Sequence, residues 1–343
     1  MLKLDFMRLL FFSLLACSAF AKSIFELDAH IQNQLRRGQF VGASVAVVEN
    51  GEISLVRSYG LIKKGKSNAV NEDTIFQIGS ISKPMSATLA ALLEQKEQLS
   101  IESSDARYIL SHTTGYSRSG WNKKIESGTG RSSLIEQLSR TTHRAPGIYY
   151  DYHNVAFSQI EEMIESATRF PFEYAMKKNL FEPLKMDRTS IGSSNFRNIK
   201  NMAWPHVPYR KGFTPSSNFS HFYHDNVPSA AGVNSTGRDM AEYLKFMLTH
   251  KELGKLWEPY VRTAHSDAVF RAFKFRKPKT FYGYGFRRME DLNDEILVFH
   301  GGWVKGFRSF IAFNPDKKLG IVILANAETS FPYKTAFWFM END

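Results

Sequence analysis

Apolar residues recur along this 343-residue chain with two different periods, and the points where one gives way to the other outline its architecture. Ile24, Phe25, Leu27, Ile31 and Leu35 repeat at helical spacing and stop at Gly38, which predicts an amphipathic first helix. The period then shortens. VGASVAVVENGEISLVRSYG places two β-branched runs on either side of Asn50-Gly51, a pair that tolerates positive φ and so predicts a hairpin. The far end mirrors this: EILVFHGG predicts a strand, RSFIAFNPDKKLGIVILAN a hairpin turning at Asn314-Pro315-Asp316, and SFPYKTAFWFMEND a closing helix. Both ends therefore read as parts of one sheet with flanking helices.

Between them the helical period dominates, in SKPMSATLAALLEQKEQ, NVAFSQIEEMIESATR and GRDMAEYLKFMLTH, with Gly-, Ser- and Asn-rich connections. Residues 191–230 are polar and studded with aromatics, which predicts a surface excursion of the kind that borders a cleft. Residues 22–343 thus read as one domain of α+β class. Its sheet lobe is drawn from about 22–75 and 280–343, and a mostly helical lobe lies between.

The first residues change the picture of where the chain resides. Lys3 and Arg8 lie ahead of an apolar run from Leu9 to Ala16, and Ala19-Phe20-Ala21 offers a cleavage site, so 1–21 reads as a signal peptide and the mature protein as exported, periplasmic or secreted. Cys17 also fits a lipoprotein processing site. As the single cysteine, it excludes an internal disulfide and cysteine catalysis. No later segment approaches the ~20 apolar residues of a transmembrane helix. The formal charge of +10 is spread along the chain, which disfavours a nucleic-acid partner, and the ten histidines include no H-E-x-x-H pair, so no metal or cofactor is implied.

Three short patterns carry chemistry. Ser80 and Lys83 form an S-x-x-K at a helix start, on one face, where a lysine of lowered pKa is able to take the serine proton. Tyr152-His153-Asn154 is the only Y-x-N and precedes an apolar-periodic helix. His300-Gly301-Gly302 closes a strand, with two glycines that permit close backbone approach. Each alone also fits a plain reading: a helix start with a solvated lysine, a helix cap, a bulge.

In this order, and with YILSHTTGY, NLFEPLKMDRTS, PSAAGVNSTGRDMAEYLKFM and SFIAFNPDKKLGIVILAN around them, the patterns resemble the serine β-lactamase and penicillin-binding-protein superfamily, in its class C-like branch. The resemblance runs from residue 24 to the end. It implies an antiparallel sheet with helices on both faces, an all-helical lobe, and a cleft between them. It implies further that Ser80 is the nucleophile and Tyr152 shares protons with Lys83. Asn154 would bind the lysine or the substrate amide, and the backbone N–H groups of Ser80 and Trp303 would hold the oxyanion.

His300 departs from the Lys-Thr-Gly of class C enzymes, and it is expected to titrate near neutrality. His112 is expected to fix a loop, and the short connection from Lys83 to His112 to border the cleft. The readings left open are hydrolysis of β-lactam or D-Ala-D-Ala-like amides on a small-molecule or peptidoglycan-like substrate, an esterase or D-amino-acid peptidase, and a non-catalytic envelope binding protein. Oligomeric state stays open.

Overall fold

The computed structural model describes residues 24–117, 121–193, 199–217, 219, 221–263, 278–290 and 295–341. Residues 1–21, read above as a signal peptide, and Cys17 with them, lie outside. Among the described residues no helix is long and apolar enough to cross a membrane.

The main sheet has eight strands: β1 (Gly42–Glu49), β2 (Glu52–Gly60), β3 (Val261–Arg262), β4 (Lys279–Tyr282), β5 (Arg287–Glu290), β6 (Ile296–Val304), β7 (Phe307–Asn314) and β8 (Leu319–Ala325). Their order is β2-β1-β8-β7-β6-β5-β4-β3, antiparallel throughout, so the two chain ends meet where β1 pairs with β8. Asn50 (φ 53°) and Gly51 (φ 82°) make the first hairpin turn as their types predict. At the second, the Asn314 side chain accepts the N–H groups of Asp316 and Lys317.

Alternation along the strands sends side chains into two separate layers. Val45, Val47, Phe310, Ala312, Ile321 and Ile323 pack with Leu27 and Ile31 of the first helix (residues 24–36) and with Phe337 of the last (Phe331–Glu341). Ala46, Val48, Val298, Ile311, Phe313, Val322 and Leu324 face the other way, into the helices of the middle segment. Helices therefore cover both faces, and β1 and β8 are buried along their whole length.

Two expectations are corrected. His300-Gly301-Gly302 does not end its strand: β6 runs on to Val304, because β7 pairs with it through Val304↔Phe307. Residues 191–230 are more than a surface excursion. They contain a hairpin (His206–Tyr209 with Gly212–Pro215) and a buried turn Pro228–Ala231, while Met202, Ala203 and Val227 join the interior. The polar composition hid this because His206 and Ser229 are themselves buried and hydrogen-bonded.

Candidate active site

The helix Ser82–Gln95 is buried on nearly every side, and Lys83 in its first turn is wholly shielded from solvent. Ser80 stands just before it on the helical turn Gly79–Ile81. Two glycines let β6 approach that turn. A Cβ on Gly79 (φ 54°) would lie 2.9 Å from the Trp303 amide nitrogen, and one on Gly302 would lie 2.0 Å from the Ile78 oxygen. Any larger residue at either position pushes the strand off the serine.

Lys83 Nζ lies 3.4 Å from Ser80 Oγ and donates to Asn154 Oδ1 at 2.7 Å and to the Ala230 carbonyl at 2.8 Å. Burial, and secondarily the Arg287 guanidinium, hold the lysine well below its usual range. A neutral amine has two N–H bonds and one lone pair. With both N–H bonds spent on Asn154 and Ala230, the lone pair is left for the Ser80 hydroxyl.

Tyr152 and Asn154 reach this point through an anchored loop. His112 accepts the His153 N–H at Nδ1 (3.3 Å), and its carbonyl accepts the Asp151 N–H (2.9 Å), so it grips the loop on both sides of Tyr152. The His153 side chain caps the following helix by accepting the Ala156 N–H, leaving Asn154 to face the lysine. Asn154 Nδ2 donates to Asn122 Oδ1 at 3.0 Å, which fixes the amide with its oxygen toward Lys83. Tyr152 faces the Ser80 hydroxyl, and burial pushes its phenol above the usual range, so it carries its proton.

Alternation along β6 aims His300 at the same side as Val298, toward the helical lobe. His300 Nε2 meets the Tyr282 hydroxyl at 3.1 Å and Nδ1 the Gly301 carbonyl at 3.0 Å. Since a carbonyl only accepts, Nδ1 carries the proton and Nε2 accepts from Tyr282. The expectation that His300 titrates near neutrality is overturned: burial, then Arg287 and Lys83, hold it well below the ordinary histidine range.

The fixed positive charge beside His300 is Arg287, which the sequence reading missed. It opens β5 opposite Phe299, with its guanidinium carbon 5.8 Å from the Tyr152 ring centre and 5.6 Å from that of Tyr282. Antiparallel pairing of FRRME with EILVFHGG was the signal that would have found it.

Ser80, Asn122, Tyr152, Asn154, Phe222, Tyr223, Gly301 and Trp303 line a cleft of about 480 Å³. A neighbouring cavity of about 250 Å³ shares Tyr152, Gly301 and Trp303 and adds Arg287, His300 and Gly302. A larger open cavity, about 1000 Å³, is lined by Gln98, Leu99, Tyr108, Tyr116 and Gln159 and by none of the motif residues. The short connection after Lys83 therefore borders that cavity, not the cleft as expected, and chemistry rather than size selects the site.

A family model described as beta-lactamase matches residues 27–341. The chain belongs to the beta-lactamase family. Among its relatives, the flp protein of Staphylococcus aureus (strain COL) is 24% identical over 89% of this chain, which spans 64% of that protein's length. A beta-lactamase of Providencia stuartii is 22% identical, over 92% of this chain and 90% of its own. Two solved structures share the beta-lactamase-like fold. The octameric penicillin-binding protein homologue from Pyrococcus abyssi has a TM-score of 0.79 at 20% identity, covering 93% of this chain and 77% of its own. A class C beta-lactamase mutant has a TM-score of 0.73 at 21% identity, covering 94% and 98%. At these identities the two structures show that this chain shares their α+β fold.

Proposed function

We propose that the protein is an exported serine hydrolase that forms an acyl-enzyme on Ser80 and acts on β-lactam or D-Ala-D-Ala-like amides. The observation that carries this reading is the Ser80–Lys83 pair: a buried amine, held below its usual pKa, 3.4 Å from the serine hydroxyl.

Lys83 takes the Ser80 proton as Oγ attacks the substrate carbonyl. The backbone N–H groups of Ser80 and Trp303 receive the oxyanion, supported by the close approach of Gly79 to the Trp303 nitrogen. Tyr152, protonated and facing Ser80, hands its proton to the leaving amine and regains one from Lys83. Deacylation reverses these roles with water. Asn154 keeps the lysine oriented. Gly301 lines the cleft beside Ser80, Gly302 lets β6 close on the Ile78 carbonyl so that the Trp303 N–H reaches the serine, and Arg287 provides the positive charge for a substrate carboxylate that His300 does not.

The test is intact mass after exposure to a fluorescent penicillin and to a nitrophenyl ester, alongside Ser80→Ala. One acyl group per wild-type chain, absent from the variant, is expected. Labelling that survives in Ser80→Ala would falsify the mechanism. A second reading, an esterase of small acyl esters, is favoured by the neutral His300 and is separated by comparing kcat/KM for nitrocefin and an acetyl ester.

A further inference from the structure

The Ala230 carbonyl that fixes Lys83 belongs to the four-residue turn Pro228–Ala231, whose backbone closes through the Ala230 and Ala231 N–H groups on the Val227 carbonyl and the Gly232 N–H on that of Pro228. It is gripped from two sides. Ser86 Oγ lies 2.9 Å from the Ser229 carbonyl and 2.9 Å from the Ser82 carbonyl, its one proton shared between them. On the other side both the N–H and the hydroxyl of Ser229 donate to a single oxygen, Oε1 of Glu161, at 2.9 and 2.6 Å.

Glu161 is wholly buried in the helix Ile160–Thr168. Arg131 Nε lies 2.9 Å from its other oxygen but off the N–H direction, so that contact is electrostatic, and the directional bonds of Glu161 are those to Ser229. The groups around the carboxylate are Arg131 from the helix Arg131–Ser139, Glu165 on its own helix, Glu173 from the helix Phe172–Met176 and Ser229 from the turn. Burying a carboxylate is costly even when paired. What this one secures is the turn whose next residue meets the lysine.

We propose that Glu161 is a positioning residue for Lys83: through Ser229 it sets the Pro228–Ala231 turn so that the Ala230 carbonyl takes one lysine N–H and leaves the lone pair aimed at Ser80. The inference rests on the reading of Ser80 and Lys83 as nucleophile and base. The coupling is mechanical. The fields felt by Lys83 are burial and Arg287, and Glu161 is not among them, so an uncharged acceptor in its place serves nearly as well.

The experiment follows the Lys83 side chain by NMR in the full chain labelled with ¹³C-lysine, the signal being assigned by its loss in Lys83→Met. Acylation by a nitrophenyl ester is measured in parallel. In Glu161→Ala the Lys83 titration midpoint falls, because the ammonium loses a carbonyl partner. The saturating acylation rate drops by about 10- to 100-fold with KM little changed. Glu161→Gln, which keeps an oxygen for Ser229, restores both to within about 3-fold of wild type. If Glu161→Ala does not fold, Ser229→Ala deletes the 2.6 Å bond and carries the same test, with a shift in the same direction.

A Lys83 signal unmoved in the folded variant, or a glutamine variant as impaired as the alanine one, overturns the proposal. A Lys83 signal that moves as expected in a protein that takes no acyl group supports the positioning role and sinks the nucleophile reading instead.

Discussion

The two faces of the main sheet are built from the same strands and do opposite things. The face toward the chain ends packs aliphatic and aromatic side chains against the first and last helices, with Phe299, Phe310 and Phe337 in mutual contact. The face toward the helical lobe has a comparable apolar layer, but at its rim it buries Lys83, His112, His153, Glu161 and His300. One face obtains stability from area removed from water. The other holds groups that would be better solvated, and burial displaces their pKa values around Ser80.

That contrast breaks most sharply at Lys83. Lys83→Met is expected to lower acylation about 10³-fold while leaving the melting temperature unchanged or raised. Because burial holds its folded-state pKa below that of the unfolded chain, the fold binds the Lys83 proton less tightly than the unfolded chain does, so its presence disfavours folding. A fall of more than about 5 °C would mean the lysine supports the lobe instead.

Across the sheet the signs reverse. Phe337→Ala removes a fully buried ring stacked edge-on to Phe310 at 4.9 Å, and is expected to cost about 3–5 kcal/mol in denaturant unfolding. The fraction that remains folded should acylate at the wild-type rate. Loss of rate without loss of stability would show that the two faces are coupled.

The polar face also sets the response to acid. Burial pushes His153 down to about 4. Between pH 6.5 and 4 the unfolded chain therefore binds a proton that the fold refuses, and stability complete above pH 6.5 is lost as pH falls. This amounts to roughly 3 kcal/mol for that residue. His112 and His300, also depressed by burial, act in the same direction. Glu161 opposes them. Burial raises it to about 7, so the fold holds a proton the unfolded chain releases between pH 4.5 and 7, and its contribution grows as pH falls. The histidines outnumber it, and net acid destabilisation is expected from urea unfolding at pH 7, 6, 5 and 4. His153→Asn keeps a capping side chain but cannot titrate and should flatten the slope. An unchanged slope would place the effect elsewhere.

The apolar face was legible from the chain because it follows simple periods: two for β1, β6, β7 and β8, and 3.6 for the first and last helices. The Ser80–Lys83 pair was legible because the two are three residues apart on one helical turn, and the fold brings them within 3.4 Å. The partners of the lysine were less so. Asn154 came from a motif, but Ala230 acts through its backbone and Glu161 through a turn, and neither mode leaves a side-chain signature. His300 was read as a neutral-range titrating group because nothing in its local sequence reports burial beside Arg287 and Lys83.

Arg287 gives the smallest expected effect and the finest test of what the polar face recognises. Its guanidinium lies beside Tyr152 and lines the cavity that adjoins the Ser80 cleft, where His300 is neutral. A substrate carboxylate bound there meets the planar Arg287 fork suited to two oxygens, with Arg308 lining the same cavity. Arg287→Leu should therefore raise KM for carboxylate-bearing substrates by about 10- to 100-fold, the equivalent of losing a charge-assisted contact of roughly 1.5–3 kcal/mol. A neutral acetyl ester cannot use the guanidinium and should keep its KM. Its acylation rate should rise slightly if anything, because Lys83 loses a neighbouring positive charge and becomes a stronger base. Equal losses on both substrates would mean that Arg287 supports the Tyr150, Tyr152 and Tyr282 rings rather than reading the substrate's charge.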